Sequence, residues 1–157
     1  MRVLFVCLGN ICRSPTAEGV LRHKLEAAGL ADKVEVDSCG TSDWHLDQAP
    51  DPRAVEAASR RGVDIRQLRG RQISAEDFQY FDYILAMDDS NLANLEALQP
   101  ANSRARLGLF LEFAGKPGEA IPDPYTGDDK GFEAVLDSVE QAADGLIATL
   151  RKRLEAV

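Results

Sequence analysis

Four short apolar runs, separated by stretches of helical periodicity, give this chain its pattern. They lie at residues 2–6, 34–38 and 83–87 and within residues 107–113, and their β-branched and aromatic side chains predict β-strands. The first run is apolar at nearly every position, which is typical of a strand buried on both faces of a parallel sheet. The runs therefore predict a sheet at the centre of the fold.

Three candidate N-caps predict where helices begin between these strands. Ser14 and Asp51 are each followed by a proline at the first helical position, where a missing N–H does no harm. Asp88 is the third candidate and follows the third strand. From Phe132 to Leu154 the apolar residues keep a period of about 3.6, which predicts a long amphipathic helix.

Alternation of strands and helices predicts the α/β class. We expect one three-layer domain over residues 1–157, with a four-stranded parallel sheet flanked by helices on both faces and right-handed connections. Sheets of this kind bind ligands beyond the carboxyl ends of their strands. Cys7, Trp44 and Asp88 all fall at or just after predicted strand ends, so we expect them on one rim of the sheet.

Composition narrows the classes of partner and cofactor. The net charge of −8 argues against nonspecific nucleic-acid binding, which rests on a cationic surface. No apolar run is long enough to span a membrane, and no signal peptide is recognisable. Three cysteines, an odd count, favour reactive thiols in a reducing compartment, and the two histidines form no metal-binding pattern. We expect a cytoplasmic monomer or weak dimer without metal, cofactor, nucleic-acid or membrane partner.

The chemistry is concentrated in the loop between the first predicted strand and helix, Cys-Leu-Gly-Asn-Ile-Cys-Arg-Ser at residues 7–14. A cysteine there lies among unpaired backbone N–H groups at the positive end of a helix dipole, and both lower the pKa of a thiol. The same amides form a concave anion site, to which Arg13 adds a planar fork for two phosphate oxygens. Cys7 is thus the predicted nucleophile, and the predicted phosphate cradle comprises Leu8, Gly9, Asn10, Ile11, Cys12, Arg13 and Ser14.

This Cys-x5-Arg-Ser signature, together with Asp123-Pro124-Tyr125 far downstream, resembles the low-molecular-weight protein tyrosine phosphatases. The likeness covers nearly the whole chain and includes Asp37-Ser38, Gly40-Thr41-Ser42, Arg71-Gln72 and Leu85-Ala86-Met87-Asp88. It implies metal-independent hydrolysis of aryl phosphates, with phosphotyrosine in proteins as the substrate, through a phosphocysteine. In that scheme Cys7 is the nucleophile, Arg13 the phosphate clamp and Asp123 the general acid and base.

Asp123 taken by itself is an ordinary turn residue, because Asp-Pro is a common turn dipeptide, but its flanking residues and the resemblance both favour a functional role. Pro122 and Pro124 flank it and restrict the backbone torsions around it, which favours a fixed position for the carboxyl. A phenolate leaves more readily when it is protonated, and the same carboxyl can later accept a proton from water. The role requires a pKa high enough for the carboxyl to hold that proton.

The resemblance also assigns roles to residues that contact the substrate or the thiol. Trp44 and Tyr125 are expected to wall a cleft for an aromatic ring, which would exclude the shorter phosphoserine. Ile11 fits phosphotyrosine, whereas relatives that act on phosphoarginine tend to carry threonine there. Ser14 is expected to stabilise the thiolate through its hydroxyl, and Cys12 is a candidate for a reversible disulfide with Cys7.

Support for the loop departs from the family pattern at one position. Asn10 is expected to hold the turn of the loop, with Ser38 as a partner. Many members carry a histidine where Leu68 stands, and leucine cannot join a hydrogen-bond network. Asp88, often the partner of that histidine, is instead expected to pair with Arg69 or Arg71.

The sequence leaves open two other classes of protein and two interpretations of one cluster of arginines. Arsenate reductases share this fold and cysteine loop but need two further cysteines in a segment near residues 88–98, which has none. A phosphocarrier that keeps its phosphocysteine is disfavoured by Arg13 and Asp123. A cluster of arginines is predicted to be a solvated helix end and loop, with a docking patch for an acidic phosphopeptide as the alternative; it comprises Arg60, Arg61, Arg66, Arg69 and Arg71.

Overall fold

Strands and helices alternate in the computed structural model, which describes residues 1–116, 118–124 and 129–155. The strands are β1 (Arg2–Cys7), β2 (Glu35–Gly40), β3 (Tyr83–Ala86) and β4 (Arg106–Leu109). The α-helices are α1 (Arg13–Ala27), α2 (Pro52–Ser59), α3 (Asp77–Tyr80), α4 (Asp89–Leu98) and α5 (Asp129–Glu155), and a 3-10 helix covers Phe110–Ala114. Every predicted strand is present, with bounds that differ by one or a few residues.

The four strands form one parallel sheet in the order β2-β1-β3-β4. Side chains that alternate along β1 belong to two separate cores. Val3 and Phe5 pack with α1, α2 and α5 on one face, and Leu4 and Val6 pack with α3 and α4 on the other. The predicted three-layer α/β fold with a four-stranded parallel sheet is confirmed, and β1 lies in the middle of it.

Two of the three predicted helix caps are confirmed and one is wrong. The carboxylates of Asp51 and Asp88 accept backbone N–H bonds from the first turns of α2 and α4. Ser14 does not cap α1, because the helix already begins at Arg13, and Cys12 at the N-cap makes no side-chain capping bond. The Ser14 hydroxyl is used instead inside the loop before the helix.

The fourth strand, β4, ends earlier than the apolar run at residues 107–113 predicts. β4 ends at Leu109, and the following residues turn into the 3-10 helix, where the Phe110 ring packs 4.6 Å from the Phe5 ring. Burial of Phe110 against β1 therefore ends the strand early. Helix α5 begins at Asp129, a little before the predicted start. No helix in the described part of the chain is both long and apolar enough to cross a membrane.

Candidate active site

Cys7 is the last residue of β1, at the carboxyl edge of the central strand, and it is 3% exposed. Its Sγ lies 2.9 Å from Ser14 Oγ and accepts the Asn10 backbone N–H at 3.3 Å. The sulfur is therefore placed where a thiolate would receive hydrogen bonds from the loop that follows it.

Asn10 holds the turn of this loop from within. Its φ of 58° is a left-handed conformation that asparagine tolerates better than most residues. The side-chain Nδ2 donates to Ser14 Oγ at 2.8 Å and to Ser38 Oγ at 3.1 Å, and Oδ1 accepts the Arg71 backbone N–H at 3.1 Å. The expected Asn10–Ser38 contact is confirmed, and Arg71 is an additional support.

The end of β2 fixes the first two residues of the loop. The Thr41 N–H donates to the Cys7 carbonyl at 2.9 Å, and the Ser42 N–H donates to the Leu8 carbonyl at 3.0 Å. A Cβ at Gly40 would lie 2.6 Å from the Leu8 oxygen, so only glycine allows β2 to approach this closely. The loop is thus held by the end of β2, in addition to the bond between Asn10 and Ser14 of α1.

Arg13 is 3% exposed, and its guanidinium is held from behind. Nη1 donates to Asp88 Oδ2 at 2.6 Å and to the Ile121 carbonyl at 2.8 Å. Asp88 thus bonds Arg13 with one oxygen and the Asn91 N–H with the other. The expectation that Asp88 pairs with an arginine at 69 or 71 is wrong, because Asp88 follows β3, the strand next to β1, and faces the first residue of α1.

The two arginines expected near Asp88 have other partners. Arg71 binds Asp37 at 3.0 Å and Asp77 at 3.0 Å, and the pKa of Arg71 is raised despite its burial because these carboxylates stabilise its charge. Arg69 donates to nearby backbone carbonyls. Within the rest of the cluster, Arg60 and Arg61 pair with carboxylates of α5, chiefly Glu133, and Arg66 pairs with Asp64. This pairing of the charges favours the solvated-surface interpretation.

Asp123 reaches the same rim through the segment after the 3-10 helix. The Ile121 N–H donates to the Met87 carbonyl at 2.7 Å, which ties this segment to the end of β3. Asp123 Oδ2 then lies 3.8 Å from Arg13 Nη2, with its side chain 48% exposed. Tyr125, the second predicted aromatic wall, lies outside the described residues.

A cavity of about 90 Å³ opens above the loop and brings most of the predicted residues together. It is lined by Cys7, Leu8, Gly9, Ile11, Cys12, Arg13, Trp44, His45 and Asp123. Asn10 and Ser14, predicted as substrate-binding residues, are buried and bond the loop itself. Trp44 is 67% exposed and forms part of the rim.

His45 is a lining residue that was not among the predicted site residues. A Cβ on Gly9 would lie 2.8 Å from His45 Cδ2, so the imidazole packs against the loop, and Nδ1 lies 2.9 Å from Gln48 Oε1. Its position next to Trp44 in the sequence is the signal that could have identified it.

Cys12 is a second buried thiol, and its raised pKa makes it unsuited to act as a nucleophile, which must be a thiolate. Burial strongly raises its pKa, and the nearby Asp51 carboxylate raises it further, so the thiol stays protonated at neutral pH. Burial also raises the pKa of Cys39. All three cysteines are free thiols in this structure, and no group of His, Cys, Asp and Glu suited to a metal ion occurs among the residues described.

The fold and the site define an α/β protein with a cysteine-containing anion loop, and comparison with known proteins identifies its family. A family model described as "Low molecular weight phosphotyrosine protein phosphatase" matches residues 2–156. A phosphatase of that name from Schizosaccharomyces pombe is 49% identical over 135 residues, which cover 84% of this chain and 85% of the relative.

Solved structures agree over nearly the full length. A protein tyrosine phosphatase from Entamoeba histolytica, with Hepes in its active site, has a TM-score of 0.92 at 37% identity and covers 97% of each chain. A structure described as a Drosophila arginine phosphatase has a TM-score of 0.89 at 35% identity and covers 96% of this chain and 98% of its own.

This chain belongs to the low molecular weight phosphotyrosine protein phosphatase family. It is an enzyme of the phosphoric monoester hydrolase class, and the predicted family and enzyme class are confirmed.

Proposed function

We propose that this enzyme hydrolyses phosphotyrosine in proteins through a cysteinyl-phosphate intermediate, with Cys7 as nucleophile, Arg13 as phosphate clamp and Asp123 as general acid and base. The observation that carries the proposal is the shared cavity, in which the Cys7 thiol, the Arg13 guanidinium and the Asp123 carboxyl all take part. Proximity of this kind is what phosphoryl transfer requires, since catalysis rests on positioning and charge stabilisation.

In the first step the Cys7 thiolate attacks phosphorus in line with the scissile bond. The S–P bond forms as the P–O bond to the phenol breaks, and Asp123 gives its proton to the departing oxygen. Arg13 Nη1 is committed to Asp88 and Ile121, so Nε and Nη2 are the donors suited to two equatorial oxygens of the phosphoryl group. Backbone N–H groups of the loop complete the cradle.

In the second step water attacks the phosphocysteine and releases inorganic phosphate. Asp123, now ionised, accepts the proton of the attacking water, and the S–P bond breaks to regenerate the thiolate. The Ser14 hydroxyl, 2.9 Å from Cys7 Sγ, would donate a hydrogen bond to the leaving sulfur. No metal or cofactor is needed for either step.

Preference for an aromatic substrate is supported by the rim of the cavity. Trp44 is exposed beside the opening, where its ring can stack on a phenyl group. Ile11 presents an apolar side chain to the same cavity. The similarity to a Drosophila arginine phosphatase makes phosphoarginine the second candidate substrate, and Ile11 is the residue that argues against it.

The test compares wild type with Cys7→Ser on peptides that carry phosphotyrosine, phosphoserine or phosphoarginine. Wild type should release phosphate chiefly from the phosphotyrosine peptide, with vanadate as an inhibitor, and Cys7→Ser should release none. Acid-quench trapping of wild type with labelled substrate should yield a phosphoprotein whose label maps to Cys7. Turnover by Cys7→Ser would refute the nucleophile, and faster release from phosphoarginine would change the substrate.

A further inference from the structure

Glu18 is a buried carboxylate, on the second turn of α1, that the proposed reaction does not use. It is 2% exposed, yet both of its oxygens face hydrogen-bond donors. Oε1 accepts from Ser38 Oγ at 2.7 Å, and Oε2 accepts from Arg22 Nη2 at 2.7 Å. A buried carboxylate is costly unless it is paired in this way, so its position calls for an explanation.

Ser38 links this carboxylate to the catalytic loop. Its Oγ gives its single hydrogen to Glu18 and therefore offers its lone pairs to the Asn10 Nδ2 donor at 3.1 Å. An ionised carboxylate can only accept, which fixes the direction of the hydroxyl. The Glu18 side chain thus determines which atom of Ser38 faces the loop.

The amide of Asn10 is fixed from its other end. The Arg71 backbone N–H can only donate, so it must face Oδ1, and Nδ2 is left to face the two serines. One Nδ2 hydrogen goes to Ser38 and the other to Ser14. The whole network is therefore oriented by two groups: the Arg71 backbone N–H, which can only donate, and the Glu18 carboxylate, which can only accept.

The consequence reaches the sulfur through Ser14. Because its Oγ accepts from Asn10 at 2.8 Å, its own hydrogen is available to Cys7 Sγ at 2.9 Å, with the Cys39 carbonyl at 3.3 Å as the weaker alternative. A continuous series of hydrogen bonds connects the Glu18 carboxylate to the Cys7 thiol. No solvent-exposed side chain interrupts it.

We propose that Glu18 is a positioning residue for the nucleophile: as an acceptor-only group it orients Ser38 and Asn10 so that Ser14 donates to Cys7 Sγ. The inference rests on the proposed role of Cys7 as nucleophile. It also provides a support for the loop that does not depend on residue 68, where the Leu68 side chain packs against the core and cannot form a hydrogen bond. Glu18 and the Arg71 backbone support the loop from behind.

Charges around Glu18 are consistent with this role. Burial and the nearby Asp37 carboxylate raise the pKa of Glu18, while the Ser38 hydrogen bond, Arg22 and Arg71 lower it, and the pKa remains raised overall. The contacts made by both oxygens are those of the ionised form. Arg22 is half-exposed, and its Nη2 also donates to the Val36 carbonyl, so it serves as a counter-ion outside the network.

The test uses Glu18→Met and Glu18→Gln, which keep the length of the side chain. Methionine removes the acceptor, and kcat for an aryl phosphate should fall about tenfold or more, the effect expected for loss of a hydrogen bond that acts on a charged group. KM should change less than twofold. The rate of Cys7 alkylation by iodoacetamide at pH 6 should fall in parallel. Glutamine keeps one acceptor oxygen and should fall between methionine and wild type.

Ser38→Ala supplies the second arm, because it cuts the connection while leaving Glu18 in place. It should reproduce the loss in kcat, and Glu18→Met combined with Ser38→Ala should lose no more than the larger single change. Arg22→Lys is the matched control, since it changes the geometry of the ion pair while keeping the counter-charge that favours the ionised acceptor, and it should keep wild-type kcat. Thermal melting of each variant separates loss of fold from loss of positioning.

Three outcomes would overturn the inference. Glu18→Met could lower the melting temperature and leave kcat and the alkylation rate unchanged, which would make Glu18 a purely structural residue. Arg22→Lys could lose as much activity as Glu18→Met, which would assign the effect to the geometry of the ion pair. The double variant could lose the product of the single losses. Inactive wild type or active Cys7→Ser would instead refute the proposed function itself.

Discussion

The two halves of the candidate site are built in opposite ways. Cys7 and Arg13 are each 3% exposed, and buried hydrogen bonds surround them. Asp123 and Trp44 line the same cavity but are 48% and 67% exposed. The half proposed to bind phosphate is held by buried hydrogen bonds of the fold itself, whereas the half proposed to meet the leaving group faces solvent.

This difference is physically reasonable for the proposed chemistry. A cradle that stabilises developing charge works best when its donors are fixed and dry, since they need no reorganisation during reaction. The rim must admit a phosphorylated side chain attached to a whole protein and must release the product. Changes in the buried half should therefore affect kcat most strongly, and changes at the rim should affect leaving-group dependence and KM.

Arg13→Lys should produce the largest effect, because it attacks the buried half directly. Lysine keeps the charge but loses the planar fork, so it cannot bind two phosphate oxygens while held by Asp88. We expect kcat to fall roughly a thousandfold, measured with p-nitrophenyl phosphate. Circular dichroism and thermal melting report whether the fold survives. A folded variant with kcat within tenfold of wild type would show that the fork is dispensable.

Asp123→Asn tests the exposed half and should give the next largest effect. Asparagine has nearly the same shape but cannot donate a proton to the departing oxygen. Phenyl phosphate, whose phenolate is a poor leaving group, should react roughly a hundredfold more slowly. Aryl phosphates that release strongly acidic phenols should be affected much less. Equal losses across a series of leaving groups would remove Asp123 from the acid role.

Local and distant features of the site differ in how well the sequence predicts them. Cys7, Arg13 and Ser14 lie within one contiguous signature between a strand and a helix, so local pattern and backbone geometry are enough to predict their proximity. Asp123 lies more than a hundred residues from the signature: the flanking Pro122 and Pro124 indicate a fixed backbone, but only the resemblance to a family assigns its carboxyl to the site.

Side-chain partners depend on the order of the strands, which local pattern does not contain. Asp88 was expected to bind an arginine at 69 or 71, but β3 lies beside β1, and this neighbourhood brings Asp88 to Arg13. The partner of Glu18 could not be predicted for the same reason. In the sequence Glu18 resembles a surface residue of a helix, and only the packing of β2 against α1 brings Ser38 to it. The apolar run at residues 107–113 likewise predicts a strand, but the end of that strand at Leu109 depends on tertiary packing.

Asp88→Asn should have an intermediate effect, because it loosens the buried half without touching substrate. The carboxylate serves both Arg13 and the N-terminus of α4, and an amide has only one oxygen to share between them. We expect kcat to fall about tenfold and the free energy of unfolding to fall by about 2 kcal/mol, measured by denaturant titration.

Asp51→Asn is the matched control for Asp88, since the Asp51 carboxylate caps α2 by accepting the backbone N–H of Arg53 and, among the described residues, bonds no side chain but that of Arg53. Asparagine is nearly as good an N-cap as aspartate, so this variant should retain kcat. An equal loss of kcat in both variants would show that helix capping, and not the hold on Arg13, is responsible.

Trp44→Ala should have the smallest effect and should act on KM. If the exposed Trp44 ring stacks on the substrate as proposed, its removal costs about 1 kcal/mol, so KM for a phosphotyrosine peptide should rise about fivefold with little change in kcat. Inhibition by inorganic phosphate should not change, since phosphate is proposed to bind in the buried half alone. Leu46→Ala, a change at an exposed apolar neighbour that does not line the cavity, should leave KM unaltered. If Trp44→Ala weakens phosphate and peptide equally, the two halves of the site are coupled and the division between them fails.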